Sequence, residues 1–213
     1  NYERRFIMTF PNETLPKGRK QKTTALYDRF VSKGAVMGDS FGLENVLWFA
    51  NNKEDAHEEP TIKRSRSHDY VSKEVQNVRE NVGAIEVANF SKHEFKGPDA
   101  RKFLDYILAG KLPKKGRISL SPMLTYRGKL YGDLTVACLD ENEFMIFGSG
   151  AAQEMHRRWF ESHINKFNVK YLNRSDDFHG IAIAGPKSRK LFQKLVREDV
   201  SNEKFKFRDT RKM

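Results

Sequence analysis

The spacing of apolar residues along the chain changes between a helical and a strand-like period. Five segments place apolar residues three or four positions apart, which is the spacing of an amphipathic helix. Between them lie short segments in which apolar and polar residues alternate, as in a half-buried strand. The predicted helices cover residues 22–33, 69–82, 98–108, 151–164 and 186–196. The predicted strands lie in residues 84–96, 118–126, 129–138 and 143–148, and near 167–172 and 180–185.

The second predicted helix has a clear apolar stripe, and the third and fifth begin at proline, which suits a first helical turn. The three strands within residues 117–148 predict an antiparallel meander, with Arg127-Gly128 as the turn between the first two. Hairpins and helices are interspersed without strict strand–helix–strand alternation, so the predicted fold class is α+β. The stripe of the second helix consists of Val71, Val75, Val78 and Val82.

The first third of the chain has a weaker pattern. The polar residues 1–21, with Pro11 and Pro16, predict an extended lead-in, and the glycine-interrupted apolar residues 34–50 predict a buried loop. Because the chain starts at asparagine and its last residues are charged without a cap, we expect it to be a fragment of a longer protein. The predicted division is a linker or lead-in segment, 1–67, and a domain, 68–213.

The composition narrows the classes of function. A formal net charge of +11 is compatible with nucleic acid, an acidic membrane or a polyanionic ligand. The basic residues are dispersed, however, and none of their clusters lies beside the spaced aromatic residues of a single-strand platform. No uncharged apolar stretch approaches the ~18 residues of a membrane helix. The single cysteine, Cys138, excludes a disulfide framework and favours a core position over a nucleophile.

Two features resemble ligand sites without completing them. Gly148-Ser-Gly150 begins like a dinucleotide-binding loop, but Gln153 stands where that loop has its third glycine. It is either a backbone turn that a ligand can approach or an ordinary strand-to-helix turn. The six histidines, including His156 and His163 on one helix, lack carboxylates at metal-ligand spacing, so we expect no metal site.

Asp133 is an acid inside an otherwise apolar strand. If Arg127-Gly128 forms the turn, Asp133 pairs opposite Pro122. The side chains of Leu120 and Leu124 then share its sheet face. A carboxylate among apolar groups costs free energy or has a raised pKa, which points to proton transfer or to a grip on a polar ligand group. A surface-facing acid, or a register slip of one residue, is the alternative.

Several motif-like segments follow one another along the chain. They include Ala25-Leu-Tyr-Asp-Arg-Phe, Trp48-Phe-Ala, Val82-Gly-Ala-Ile-Glu-Val, Pro113-Lys-Lys-Gly-Arg-Ile, Met123-Leu-Thr-Tyr-Arg-Gly-Lys-Leu-Tyr-Gly-Asp-Leu-Thr-Val136, His156-Arg-Arg-Trp159 and Ala184-Gly-Pro-Lys-Ser-Arg189. Together these collinear segments resemble the folate-domain region of the dimethylglycine and sarcosine dehydrogenase family. From about residue 70 the chain is also similar to the aminomethyltransferase (T-protein) of the glycine cleavage system. The resemblance implies the aminomethyltransferase folate-binding fold, incomplete at the C-terminus because the family's later Thr-Gly-Glu motif is expected beyond Met213.

The resemblance implies tetrahydrofolate as the ligand. The family's motif acid corresponds to Asp133, which would assist proton transfer near N10 of folate. Phe90 falls where the family usually has a methionine in the pocket. The other implied folate-binding residues are Met123, Leu124, Tyr131, Ile146 and Phe147.

The resemblance also implies a two-part reaction. A flavin domain with FAD, expected outside these 213 residues, would oxidise an N-methyl amine such as dimethylglycine or sarcosine. The one-carbon unit would then pass to tetrahydrofolate. The expected partners are the small-molecule amine and folate, with no nucleic acid and no membrane, in the cytoplasm or, in a eukaryote, the mitochondrial matrix. A stand-alone folate-dependent aminomethyltransferase and, more distantly, a basic nucleic-acid-binding module are the alternatives.

Overall fold

Five helices and nine strands follow one another in the described part of the chain, which a computed structural model gives as residues 2–8, 10, 13–14 and 17–213. Pro11 and Pro16 of the predicted lead-in lie outside the described residues. The helices are α1 Tyr27–Ser32, α2 Ser67–Glu80, α3 Ala100–Ile107, α4 Gln153–His163 and α5 Ser188–Phe192. The strands are β1 Ala35–Ser40, β2 Leu43–Phe49, β3 Gly83–Glu86, β4 Phe90–Lys96, β5 Arg117–Leu124, β6 Leu130–Asp140, β7 Glu143–Ser149, β8 Lys170–Asn173 and β9 Ile181–Ala184.

These elements form two compact units. The first unit runs to Glu86 and includes His179–Ser188, and the second contains Val87–Phe178 and Arg189–Met213. The sequence predicted a boundary after residue 67, between a linker and a domain. This is a different kind of division from the boundary between two packed units, and it stays a prediction. No described helix is long and apolar enough to cross a membrane.

The second unit is built on a five-stranded sheet. Its strand order is β5-β6-β7-β4-β8, and all four pairings are antiparallel. Strands β5, β6 and β7 are consecutive neighbours, which is the predicted meander. The mixture of this sheet with interspersed helices confirms the α+β class.

One face of this sheet, the core face, packs against α3 and α4. Alternate side chains of each strand point to it, because successive residues of a strand face opposite sides. The predicted stripe of α3 covers it, and each fully buried apolar side chain stabilises the fold by roughly 1.5–3 kcal/mol. The buried residues of this cluster include Phe95, Phe103, Leu104, Met123, Leu134, Val136, Phe144, Ile146 and Phe160.

In the first unit, residues 34–50 form a hairpin, so the prediction of a loop there is wrong. Strands β1 and β2 pair antiparallel, with Ser40 opposite Leu43. The connecting residues Phe41 and Gly42 both have positive φ, 53° and 85°, as a two-residue hairpin turn requires. The sequence concealed this turn because phenylalanine stands where asparagine or glycine usually marks it.

Helix α2 forms as predicted, but it packs with a different face from the valine stripe. Val71 and Val75 are 36% and 47% exposed. Tyr70 packs instead, with its ring centroid 4.9 Å from that of Trp48. Its hydroxyl donates a hydrogen bond to Asp55 at 2.6 Å. An aromatic ring with a partner for its hydroxyl buries more apolar area than a valine does, which explains the rotation.

The last predicted helix is shorter than expected. Helix α5 ends at Phe192 rather than at residue 196. The side chain of Gln193 then bonds to the backbone of the following turn, accepting from the amide of Val200 and donating to the carbonyl of Glu198. These bonds stabilise a turn where the helix was predicted to continue.

Gly34 and Gly42 give a matched test of the hairpin. Both have a φ of +85°, but a Cβ at Gly34 would overlap the carbonyl oxygen of Ala50, whereas the nearest atom at Gly42 is 3.9 Å away. We expect Gly42→Ala to cost roughly 1–2 kcal/mol for the left-handed backbone. Gly34→Ala adds a clash, typically about 1–3 kcal/mol more.

The measurement is urea unfolding followed by the fluorescence of Trp48, in a Trp159→Phe background that removes the other tryptophan. Equal destabilisation by the two alanines would contradict the close approach of Gly34 to Ala50.

Candidate active site

The loop between β5 and β6 determines which way Asp133 faces. Thr125 and Lys129 close a three-residue loop, in which the amide of Gly128 donates to the carbonyl of Thr125. Such a loop alone would shift the pairing by one residue. A bulge at Tyr131 restores it, so that Asp133 pairs opposite Pro122. The predicted register is therefore confirmed, although the turn is a longer loop with a compensating bulge.

The face that carries Asp133, here called the Asp133 face, lies opposite the core face. Asp133 itself is exposed, which agrees with the surface-facing alternative and not with an enclosed carboxylate. Its same-face neighbours are largely apolar: Leu120 is 66% exposed. Phe147 lies on the same face of the adjacent strand, opposite Thr135. Phe90, 47% exposed, pairs opposite Ser149 on this face.

The structure does not bring all the proposed folate-binding residues together. Met123 and Ile146 are fully buried in the core cluster, behind the sheet as seen from Asp133. Phe147 and Leu124 are partly buried on the Asp133 face. The bulge turns the ring of Tyr131 to the core side, with its centroid 4.7 Å from that of Trp159. Strand alternation explains the split, because adjacent residues of a strand cannot line the same face.

A buried histidine beneath β6 was missed by the sequence reasoning. His156 of α4 is 2% exposed, and its Nε2 donates to the carbonyl of Tyr131 at 3.3 Å. The ring occupies space that two glycines leave open. A Cβ at Gly132 would lie 2.8 Å from Nε2, and a Cβ at Gly148 would lie 3.1 Å from Nδ1. Glycine inside a strand was the signal that something approaches closely there.

A second histidine lies next to the first. His93 of β4 is fully buried, and its ring centroid is 6.2 Å from that of His156. Its Nδ1 bonds to the hydroxyl of Tyr171 at 2.9 Å. Burial, with the neighbouring His156, lowers the pKa of His93 to about 4, and nearby Glu154 offsets this only in part. Burial also lowers the pKa of His156 and raises that of Tyr171. Both imidazoles are therefore neutral at pH 7.

The other candidate features have packing explanations. Gly148 makes room for His156, and a Cβ at Gly150 would overlap the carbonyl oxygen of Asn89. Both close approaches are to the chain's own atoms, so the glycines need no ligand. Cys138 is buried, and burial raises the pKa of its thiol. Among the described residues, no group of three or more His, Cys, Asp or Glu side chains is placed to hold a metal ion.

Comparison with known proteins places this chain in a family. The profile of the GCVT N-terminal domain matches residues 26–213. The chain belongs to the GCVT N-terminal domain family. The resemblance stated from the sequence is thereby confirmed at the level of the family. A solved aminomethyltransferase T of the glycine cleavage system from Bartonella henselae has the same fold, with a TM-score of 0.69 and 21% identity over 82% of this chain and 44% of that one.

Two curated relatives each contain a region that is similar to this chain. The mitochondrial dimethylglycine dehydrogenase of Mus musculus is 34% identical over 209 residues, which are 96% of this chain and 24% of the relative. The aminomethyltransferase of Staphylococcus epidermidis is 29% identical over 183 residues, 85% of this chain and 45% of the relative. The chain thus spans about a quarter to a half of the length of these relatives.

The buried His93 predicts a loss of stability in acid. Below pH 6.5 the unfolded chain takes up a proton at His93, while the folded chain stays neutral there until about pH 4. Stability therefore falls as the pH drops between these values, by about 2 kcal/mol from pH 7.5 to pH 5 for this group alone.

The substitution His93→Asn keeps a polar group near Nδ1 and removes the titration. Urea unfolding at the two pH values should show the dependence reduced by about 2 kcal/mol in the variant. The same dependence in both proteins would exclude a buried, neutral His93.

Proposed function

We propose that this chain is the tetrahydrofolate-binding part of a dimethylglycine or sarcosine dehydrogenase, and that its site lies on the Asp133 face around Asp133. In the whole protein, an FAD-dependent oxidation of an N-methyl amine would supply the one-carbon unit. The observation that carries the proposal is the match of 96% of the chain to mitochondrial dimethylglycine dehydrogenase at 34% identity. A mitochondrial matrix location accompanies the proposal if the source is eukaryotic.

The residues of the Asp133 face fit a folate. A pterin is a flat ring with polar edges, and such ligands bind where apolar surface surrounds a few polar groups. Phe90, Leu120 and Phe147 supply exposed or partly exposed apolar surface, and Asp133 supplies one carboxylate. Because Met123 and Ile146 point into the core, we leave them out of the proposed site. Leu124 stays in it.

Tetrahydrofolate, when bound, supplies the nitrogen atoms that accept a one-carbon unit. Asp133 would hold an N–H of the ligand by a charge-assisted hydrogen bond and take or return a proton at its carboxylate oxygens. Apolar neighbours would exclude water from that proton transfer, which strengthens the electrostatic effect of a single carboxylate. Proton transfer by a placed side chain typically contributes about 10²–10⁴-fold in rate.

The alternative is a stand-alone folate-dependent aminomethyltransferase. The Staphylococcus epidermidis aminomethyltransferase matches a smaller part of the chain, 85%, at the lower identity of 29%. This difference favours the dehydrogenase. Both candidates use the same site, so only the presence of amine oxidation in the complete gene product separates them.

The test is Asp133→Asn in the complete gene product. The exposed amide keeps the shape of the side chain, so folding and amine oxidation should persist. The ratio of methylenetetrahydrofolate formed to amine oxidised should fall at least about 100-fold, and formaldehyde should appear in its place. The matched control is Asp140→Asn, an exposed acid at the far end of the same strand, which should leave the ratio unchanged.

An unchanged ratio in Asp133→Asn would mean that the acid is only a surface residue and that this site assignment is wrong. Retained transfer to folate with no amine oxidation by the wild-type protein would instead favour the stand-alone aminomethyltransferase.

A further inference from the structure

Several buried polar side-chain atoms of the second unit have no hydrogen-bond partner among the described residues, and three of them belong to neighbouring residues in the core. These three are Ser91 Oγ, His93 Nε2 and His156 Nδ1. Each belongs to a residue that is at most 2% exposed. A buried polar group without a partner costs free energy, and native structures rarely leave one unsatisfied. Three such atoms close together therefore indicate a shared partner.

The three residues lie near one another on the core face of the sheet. Ser91 pairs opposite Gly148 on the core face, and a Cβ at Gly148 would lie only 3.1 Å from His156 Nδ1. His93 is two residues beyond Ser91, so its side chain is on the same face. Its ring lies 6.2 Å, centroid to centroid, from that of His156, without a direct hydrogen bond between them among the described contacts.

We propose that Ser91, His93 and His156 together bind one buried water molecule. A buried water typically makes about three hydrogen bonds to groups that otherwise lack a partner. The number and the polarity of the three atoms match that requirement.

The donors and acceptors are complementary. His156 Nε2 faces the carbonyl of Tyr131, which can only accept, so Nε2 carries the hydrogen and Nδ1 is an acceptor. Tyr171 bonds to His93 Nδ1. In the proposed site its hydroxyl is the donor, which leaves the hydrogen of His93 on Nε2 as a donor. The water accepts from His93 and donates to His156 and to Ser91 Oγ.

The bound water extends a hydrogen-bond chain from Tyr171 to the bulge at Tyr131. His156 is then a positioning residue, because its ring links the water to the carbonyl of the bulged residue. The bulge sets the face on which Asp133 lies. The site thus connects the interior of the second unit with the strand that presents Asp133.

The direct test is nitrogen and water NMR of the full chain with labelled histidine. We expect His93 and His156 each to carry the hydrogen on Nε2, and the His93 Nε2–H to show an Overhauser effect from a long-lived water. Ser91→Ala removes one of the three partners and should shift the His156 Nδ1 signal. Ser119→Ala, a control on β5 opposite Val136, should leave it unchanged.

Two substitutions at His156 separate the water from the bulge. His156→Gln keeps an N–H close to the Nε2 position and loses Nδ1, whereas His156→Asn keeps an acceptor close to Nδ1 and loses the bond to Tyr131. We expect amide exchange in the bulge to accelerate about tenfold in His156→Asn, as for one lost hydrogen bond, and less in His156→Gln.

The absence of a water contact at His93, or a hydrogen on Nδ1 of His156, would overturn the proposal. So would a direct hydrogen bond between Ser91 and His156, seen as a shifted His156 Nδ1 signal in Ser91→Ala with no Overhauser effect from water in the wild-type chain. Only one part of this inference, the effect of the water site on Asp133, rests on the proposed function. In the His156 variants, faster exchange with an unchanged folate-transfer ratio would support the water site and contradict its link to Asp133, whereas an unchanged ratio in Asp133→Asn would contradict the proposed function.

Discussion

The register of β5 against β6 is the constraint on which the second unit depends. The three-residue loop and the bulge at Tyr131 together place Leu134 and Val136 on the core face. A slip of one residue would exchange the two faces along the whole strand. It would expose these fully buried side chains, each worth roughly 1.5–3 kcal/mol, and bury Asp133. The apolar residues of β6 therefore hold the acid on the outer face.

The same strand shows how a polar group is accommodated in an apolar core. His156 enters the layer between α4 and the sheet because Gly132 and Gly148 have no side chains there. The imidazole remains neutral and donates to the carbonyl of the bulged residue Tyr131. A larger residue at either glycine would displace the ring and with it the hydrogen bond to Tyr131. Glycine is a poor strand former, yet both strands have it here because the ring of His156 needs the space, as happens at sites where a particular geometry is needed.

The Asp133 face carries exposed apolar side chains together with an exposed carboxylate. Leu120 and Phe90 are 66% and 47% exposed on the same face as the exposed carboxylate. In open water a carboxylate exerts a weak field and exchanges protons with the solvent. The chemistry proposed for Asp133 would therefore need a bound ligand that covers this face.

The periodicity of the sequence was sufficient for most elements. The pairing of Asp133 with Pro122 was also predicted, but the chain reaches it through a three-residue loop and a compensating bulge, which the local pattern did not predict. The hairpin at Ala35–Phe49 escaped detection because Phe41 occupies a left-handed position that phenylalanine rarely takes. Collinear motifs were enough to identify the family without any coordinates.

Only the tertiary structure decided how deeply each side chain is buried and which face of its strand or helix packs against the core. A strand's period says that Met123 and Leu124 face opposite ways, but not which of them faces the core, because that depends on where α3 and α4 pack. The same holds for α2, in which Val71 and Val75 stay exposed while Tyr70 packs against Trp48. The contacts of His156 join residues from three separate strands, and no local pattern can encode such a meeting. The sequence by itself determined the elements and the family, whereas long-range packing chose the faces and assembled the buried polar site.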